Sequence, residues 1–139
     1  MEIDLLNKYP KTKRNLDKRN SEKTPEVREI ARRFGKEFFD GDRKYGYGGF
    51  NYNPKYWSNV VLDFKKHWDI KKGDKILDVG CAKGFMVYDF LRLIDGLNMR
   101  GIDISDYAIS NSLPQVKNLL SVANAKKLEF EDKSFDYVI

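Results

Sequence analysis

Apolar residues recur along this chain with two periods, and the periods divide it into elements. Val27, Ile30, Phe34 and Phe38 fall three and four residues apart, which places them on one face of a helix. Thr24 stands where an N-cap belongs, with Pro25 at the first helical position and Glu26 in the first turn, so one helix is expected from here to the stop at Asp40-Gly41-Asp42. Trp57, Val60, Val61, Phe64 and Trp68 repeat at the same spacing and predict a second helix from Pro54 to Asp69. Phe85, Met86, Phe90, Leu91 and Ile94 mark a third, ended by Asp95-Gly96; Ser105 to Ile109 open a fourth, which Pro114 interrupts. Short apolar runs lie between these helices, at Ile76 to Val79, Met99 to Asp103, Leu119 to Val122 and Phe135 to Ile139. They read as strands, and Lys71-Lys72-Gly73-Asp74 makes the turn into the first of them.

Strands alternating with helices imply an α/β fold, a parallel sheet joined by right-handed crossovers. In such sheets ligands sit at the carboxyl ends of the strands, where the strand order reverses. The chemistry is therefore to be sought just after each strand.

The first strand runs into Ile76-Leu77-Asp78-Val79-Gly80-Cys81-Ala82-Lys83-Gly84, a glycine-spaced loop that opens a helix. Glycine allows a sharp turn and lets the backbone approach a ligand closely, and the N–H groups of the loop and helix then face that ligand. A dinucleotide fingerprint needs a third glycine where Phe85 stands, so the spacing is D-x-G-x-A-x-G instead. Met99-Arg100-Gly101-Ile102-Asp103 ends a second strand on a carboxylate nineteen residues after Gly84, where a ribose-binding acid is expected. Leu119-Leu120-Ser121-Val122-Ala123-Asn124-Ala125 ends the third on an amide, and Leu128 to Ile139 reads L-x-F-x-D-x-S-F-D-x-V-I.

These four matches, in this order, resemble the class I S-adenosylmethionine-dependent methyltransferases, of the methyltransferase type 11 kind. The resemblance covers residues 71–139 and implies a Rossmann-like sheet of strand order 3-2-1-4, with S-adenosylmethionine as cofactor. By the same resemblance Asp78 helps hold the methionine ammonium group, Asp103 binds the ribose hydroxyls and Asn124 meets the adenine. Gly80, Cys81, Ala82 and Gly84 form the cradle, and Ile104 and Ala125 are further cofactor-binding positions. Asn124 departs from the aspartate often found there. Competing structural roles are a loop cap for Asp78 and the N-cap of the next helix for Asp103, although Ser105 is also placed for that cap. No catalytic residue follows from the sequence. A whole domain of this family has seven strands, so the resemblance implies a longer parent protein truncated after strand four. Methyl transfer is then expected of the parent, with the 139-residue piece inactive and inclined to associate through a bare last strand.

Residues 1–50 form a separate region under this reading: a basic arm, a helix and the loop Tyr45-Gly46-Tyr47-Gly48-Gly49-Phe50-Asn51-Tyr52; residues 51–139 are the N-terminal half of the cofactor domain. The loop suits either a lid over cofactor or acceptor, or simple packing on the domain. Of the chain's formal +5, residues 1–44 hold +4, with thirteen basic and nine acidic side chains. Interspersed acids dilute that field, so the arm is expected to be solvated and poorly ordered. A small-molecule or glycan-precursor acceptor is expected, with RNA as the alternative partner and a non-catalytic nucleotide-binding fragment as the third reading.

Composition narrows the setting. At 41% hydrophobic and 14% aromatic the chain is too apolar for a disordered segment. One cysteine and one histidine support neither a disulfide framework nor a zinc site, so no metal is expected. No signal peptide or apolar span is visible, and the cytoplasm is the expected compartment, with no membrane contact. Cys81 matters through its backbone, and His67 stands apart from the motifs as a general-base candidate.

Overall fold

The computed structural model describes residues 1–139, and its core is a four-stranded sheet. The strands are β1 (Lys75–Val79), β2 (Asn98–Asp103), β3 (Leu120–Val122) and β4 (Tyr137–Val138), in the order β3-β2-β1-β4. All three pairings are parallel: Asp78 lies opposite Gly101, Asp103 opposite Val122, and Ile76 opposite Tyr137. The expected class and strand order are both observed.

Six helices accompany the sheet: α1 (Leu16–Glu22), α2 (Pro25–Arg32), α3 (Lys36–Asp40), α4 (Pro54–Trp68), α5 (Phe85–Leu93) and α6 (Asp106–Ser110). Helices α4 and α5 pack together over the sheet, with the rings of Phe64 and Phe90 stacked at 6.2 Å. Val60, Val61, Ile76, Val87 and Phe90 are fully buried there, each contributing about 1.5–3 kcal/mol by leaving water. The aromatic stripe of α4 is therefore core. No helix is long and apolar enough to cross a membrane.

Two expectations about the amino-terminal region are corrected. The helix read as continuous from Thr24 to Phe38 breaks into α2 and α3, although Thr24 does cap the first, accepting from the Val27 N–H at 3.3 Å. The break lies at Phe34, whose φ is +50°, followed by Gly35; the Phe34 carbonyl turns outward and accepts from the Ser105 hydroxyl. A tertiary hydrogen bond thus replaces a helical one. Nor is the arm a poorly ordered tail, although residues 11–18 are exposed as expected. Lys8 pairs with Asp63 of α4 at 2.7 Å, and the Tyr9 ring packs on Trp57 and Tyr56 at 5.0 and 5.6 Å. The arm lies on α4 and continues into α1.

Candidate functional site

The glycine-spaced loop leaves the carboxyl end of β1 as expected. Gly80 adopts φ +86°, and the N–H groups of Gly80 and Cys81 both donate to the Ile102 carbonyl, at 2.8 and 2.9 Å. That ties the loop to β2 beside it. A Cβ built on Gly80 would meet nothing within 4 Å, so the outer face of this turn is open to a ligand. Ala82, at φ +49°, aims its N–H at Asp103 Oδ2, 2.8 Å away.

Asp103 is held from both sides. Its Oδ1 accepts from the Ser105 N–H at 2.8 Å while Oδ2 takes the Ala82 N–H. Each carboxylate oxygen retains a further lone pair. The helix cap falls to Ser105, whose hydroxyl accepts from the Ala108 N–H at 3.0 Å, so Asp103 is not the N-cap of α6.

Asp78 stands one residue before the end of β1 and is 4% exposed. No donor of the chain satisfies its carboxylate, yet no fully enclosed polar atom is left without a partner, so its oxygens face a narrow opening. Burial, and then the negative charge of Asp103, push its carboxyl up to about 7. A cation placed at that opening would reverse both effects.

Gly84 has a different reason to be glycine from the one expected. At φ +80° a Cβ there would come within 2.7 Å of Leu120 and 2.8 Å of Val116, so the residue is closed off by the chain's own core and not by close approach to a ligand. Gly101 of β2 is similar, since its missing Cβ makes room for Leu120 and the Cys81 side chain. Cys81 is buried, and burial followed by the charges of Asp78 and Asp103 pushes its thiol far up, out of reach of thiolate chemistry.

The remaining predicted positions lie around the same strand ends. Ile104 is 57% exposed directly after Asp103, an apolar side chain left in the open. Asn124 and Ala125 follow β3; the Asn124 carboxamide oxygen accepts from the Lys126 N–H at 3.0 Å, and the preceding Ala123 N–H donates to the Asp103 carbonyl. His67 is on the exposed last turn of α4, near the arm residues Ile3 and Asp4. It is not among the loop residues.

One group at the loop was not anticipated. Lys83 occupies a variable position of the motif, but its ammonium is buried and bonds both oxygens of Asp40, at 2.9 and 2.7 Å, and the Phe50 carbonyl at 2.9 Å. Asp40 also accepts from the Tyr107 hydroxyl and the Phe50 N–H. Burial raises its carboxyl, but the Lys83, Phe50 and Tyr107 donors outweigh that and hold it below the usual carboxylate range. Nothing local in the sequence marks this cluster, because Asp40 reads there as a helix stop.

The cluster fixes one end of the Tyr- and Gly-rich loop, and a second cluster fixes the other. Asp89 of α5, fully buried, accepts from the Tyr52 hydroxyl, from Ser58 and from Arg92. Between them the Tyr47 and Gly49 N–H groups donate to the carbonyls of Phe38 and Phe39. The loop is therefore packed on the domain, and it also forms the wall of a pocket of about 630 Å³ between itself, α4 and the arm. Phe50 stacks on Phe85, the first residue of α5, at 4.6 Å, so the pocket and the glycine-spaced loop share a wall.

Demethylmenaquinone methyltransferase of Bacillus cytotoxicus is 33% identical over 98 residues, 58% of this chain and 41% of that protein. Among solved structures, the phosphoethanolamine N-methyltransferase 2 of Haemonchus contortus, in complex with phosphomonomethylethanolamine and S-adenosylhomocysteine, is 30% identical with a TM-score of 0.52 over 65% of this chain and 22% of that one. The MccD protein is 32% identical, with a TM-score of 0.52 over 63% of this chain and 41% of that one. The chain spans 32% and 41% of the length of the curated relatives it matches. Residues 70–139, which carry β1 through β4 and every strand-end residue described above, match the family described as methyltransferase domain, and the chain belongs to that family.

Proposed function

We propose that this chain carries the cofactor-binding part of an S-adenosylmethionine-dependent methyl transfer to a small-molecule acceptor. The observation that carries the reading is Asp78: a carboxylate 4% exposed, without a donor from the chain, beside the open turn at Gly80. Such a group calls for a cationic partner, and the ammonium of the methionine moiety is one. Asp103 is suited to the two ribose hydroxyls, because backbone N–H groups already orient both of its oxygens and leave lone pairs free. Ile104 offers the apolar surface that a flat base needs, with Asn124 and Ala125 at its edge. Asp78, Gly80, Ala82, Asp103 and Ile104 are thus proposed as the cofactor contacts.

When bound, S-adenosylmethionine supplies a sulfonium methyl, which passes to an acceptor lone pair as the methyl–sulfur electron pair stays on sulfur. The chain's part is to hold and orient. Fixing two reactants in line is worth up to about 7–11 kcal/mol of barrier, so the reading requires no covalent nucleophile. The relatives named above differ in the acceptors their names state, so they support methyl transfer without choosing an acceptor.

Calorimetry with S-adenosylhomocysteine tests the reading. Asp103→Ala removes hydrogen bonds to a charged acceptor, worth about 1.5–3 kcal/mol, and should weaken binding roughly tenfold to hundredfold. Unchanged affinity would remove the assignment.

A further inference from the structure

The pocket between the arm and the aromatic loop is unusual in its charge. Four of its lining residues are basic, Arg14, Arg19, Lys23 and Arg43, and none is acidic. The whole chain carries 21 acidic residues, so their exclusion from one cavity of this size is a feature of the cavity. None of the four cations takes part in an ion pair; the five ion pairs of the structure involve other residues. Lys23 and Arg43 spend donors on the carbonyls of Lys44 and Gly46, which positions them without neutralising them. Arg14 and Arg19 make no side-chain hydrogen bond to the chain.

More than half of the other lining residues are aromatic. On one side Tyr9, Tyr56 and Trp57 form a cluster where the arm meets α4; on the other stand Tyr47, Phe50 and Phe85, with Tyr47 and Phe50 at 4.2 Å. Flat walls of this kind select a flat apolar body, and unpaired guanidinium groups select an anion through bidentate contacts. A volume of about 630 Å³ lies in the range that encloses a drug-sized molecule.

We infer that this pocket binds the acceptor, and that the acceptor is a small planar molecule carrying an anionic group, a carboxylate or a phosphate ester, held by Arg14 and Arg19. The inference rests on the proposed methyl transfer for the word acceptor, whereas the binding itself does not depend on it. The shared wall at Phe50 and Phe85 sets the occupant's flat end toward the glycine-spaced loop while the arm holds its charge. The arm thereby acquires a role: its docking on α4 brings three of the pocket's four cations into place. A nucleic acid is the less fitting occupant, because the cations converge on one pocket while residues 45–139 together carry only +1.

Trp57 lies in the pocket wall, so its fluorescence reports occupancy. Phenyl phosphate and benzoate are titrated into the full chain, with benzyl alcohol as the uncharged probe of the same ring and a single-stranded oligouridylate as the polymer. At least one of the two anions should bind ten times more tightly than benzyl alcohol, and which one does so identifies the anionic group. Arg14→Gln/Arg19→Gln should weaken that anion at least tenfold and leave benzyl alcohol within twofold. Both side chains lie outside every ion pair, so the variant is expected to fold, and an unchanged circular dichroism melt checks this. The same loss of charge at the exposed Lys65 and Lys66 of α4, as Lys65→Gln/Lys66→Gln, should have no effect. Equal affinity for charged and uncharged rings, an equal loss from the Lys65/Lys66 pair, or oligouridylate binding more tightly than either anion would each overturn the inference. S-adenosylhomocysteine affinity, read by calorimetry on the same variants, should not move. Its absence in the unaltered chain would defeat the cofactor reading while leaving the anion result standing.

Discussion

Lys83 and Asp40, separated by 43 residues in sequence, meet at 2.7 Å, and through them the glycine-spaced loop is bonded to the last residue of α3. Lys83 is 8% exposed on its side chain and Asp40 24%, so the pair is only partly open to water. Asp40→Ala should cost about 2–4 kcal/mol in urea unfolding, somewhat below the figure for a fully enclosed pair, because it leaves a buried ammonium unpaired. Lys83→Met should cost less, since Asp40 keeps the Tyr107 and Phe50 donors. Equal small losses for both would show that the pair stabilises little.

The two loop glycines should respond differently to substitution. Gly80→Ala introduces about 1–2 kcal/mol of left-handed backbone strain but meets no neighbour, so the melt should shift modestly while S-adenosylhomocysteine affinity falls. Gly84→Ala adds a clash at 2.7 Å with Leu120 to the same strain, and overpacking costs a further 1–3 kcal/mol or about that. Its melting temperature should fall the further of the two. The reverse order would mean that the Gly84 neighbours yield easily.

Asp78 gives stability a pH dependence of unusual sign for a carboxylate. Its folded value, about 7, lies above the ordinary 3.8, so the folded chain holds a proton that the unfolded chain has released. The contribution is complete below about pH 4 and is lost as pH rises through 7, at roughly 1.4 kcal/mol per pH unit between them. Urea midpoints of Asp78→Asn, compared with the unaltered chain from pH 5 to pH 8, should show that slope removed. Binding of S-adenosylhomocysteine should tighten over the same interval, because its ammonium requires the ionised carboxylate.

Ser105 performs two tasks at once, capping α6 and donating to the carbonyl that α2 cannot use. Ser105→Ala should therefore cost more than an ordinary cap, about 1.5–3 kcal/mol against the usual ~1. Thermal denaturation measures it. Ser105→Thr, which keeps the hydroxyl, should recover part of the loss.

The parts legible in the sequence were those with local causes. The D-x-G-x-A-x-G run and the carboxylate ending β2 depend on the turn geometry of a few neighbouring residues; the parallel sheet followed from alternating elements, and its strand order from the family resemblance. What was missed depends on contacts between distant segments. The stripe through Phe34 and Phe38 continues at helical spacing, so nothing local reports that a Ser105 hydroxyl 71 residues away takes the Phe34 carbonyl. The arm's charges read as a solvated run because Asp63, the partner of Lys8, is 55 residues distant. Gly84 fits the ligand-approach explanation equally well until Val116 and Leu120 are seen against it.

The Asp40 cluster also bears on how the molecule opens. Its side chains come from α3, the glycine-spaced loop and α6, at separations of 43 and 67 residues, and its shortest-range bond, from the Phe50 N–H, still spans ten. The wall of the anion pocket accordingly owes its order to segments that fold around β1. Amide protons of Tyr47, Gly49 and Phe50 should exchange with solvent in a single cooperative step with those of Gly84 and Tyr88, as one foldon that spans the arm-side cavity and the glycine turn.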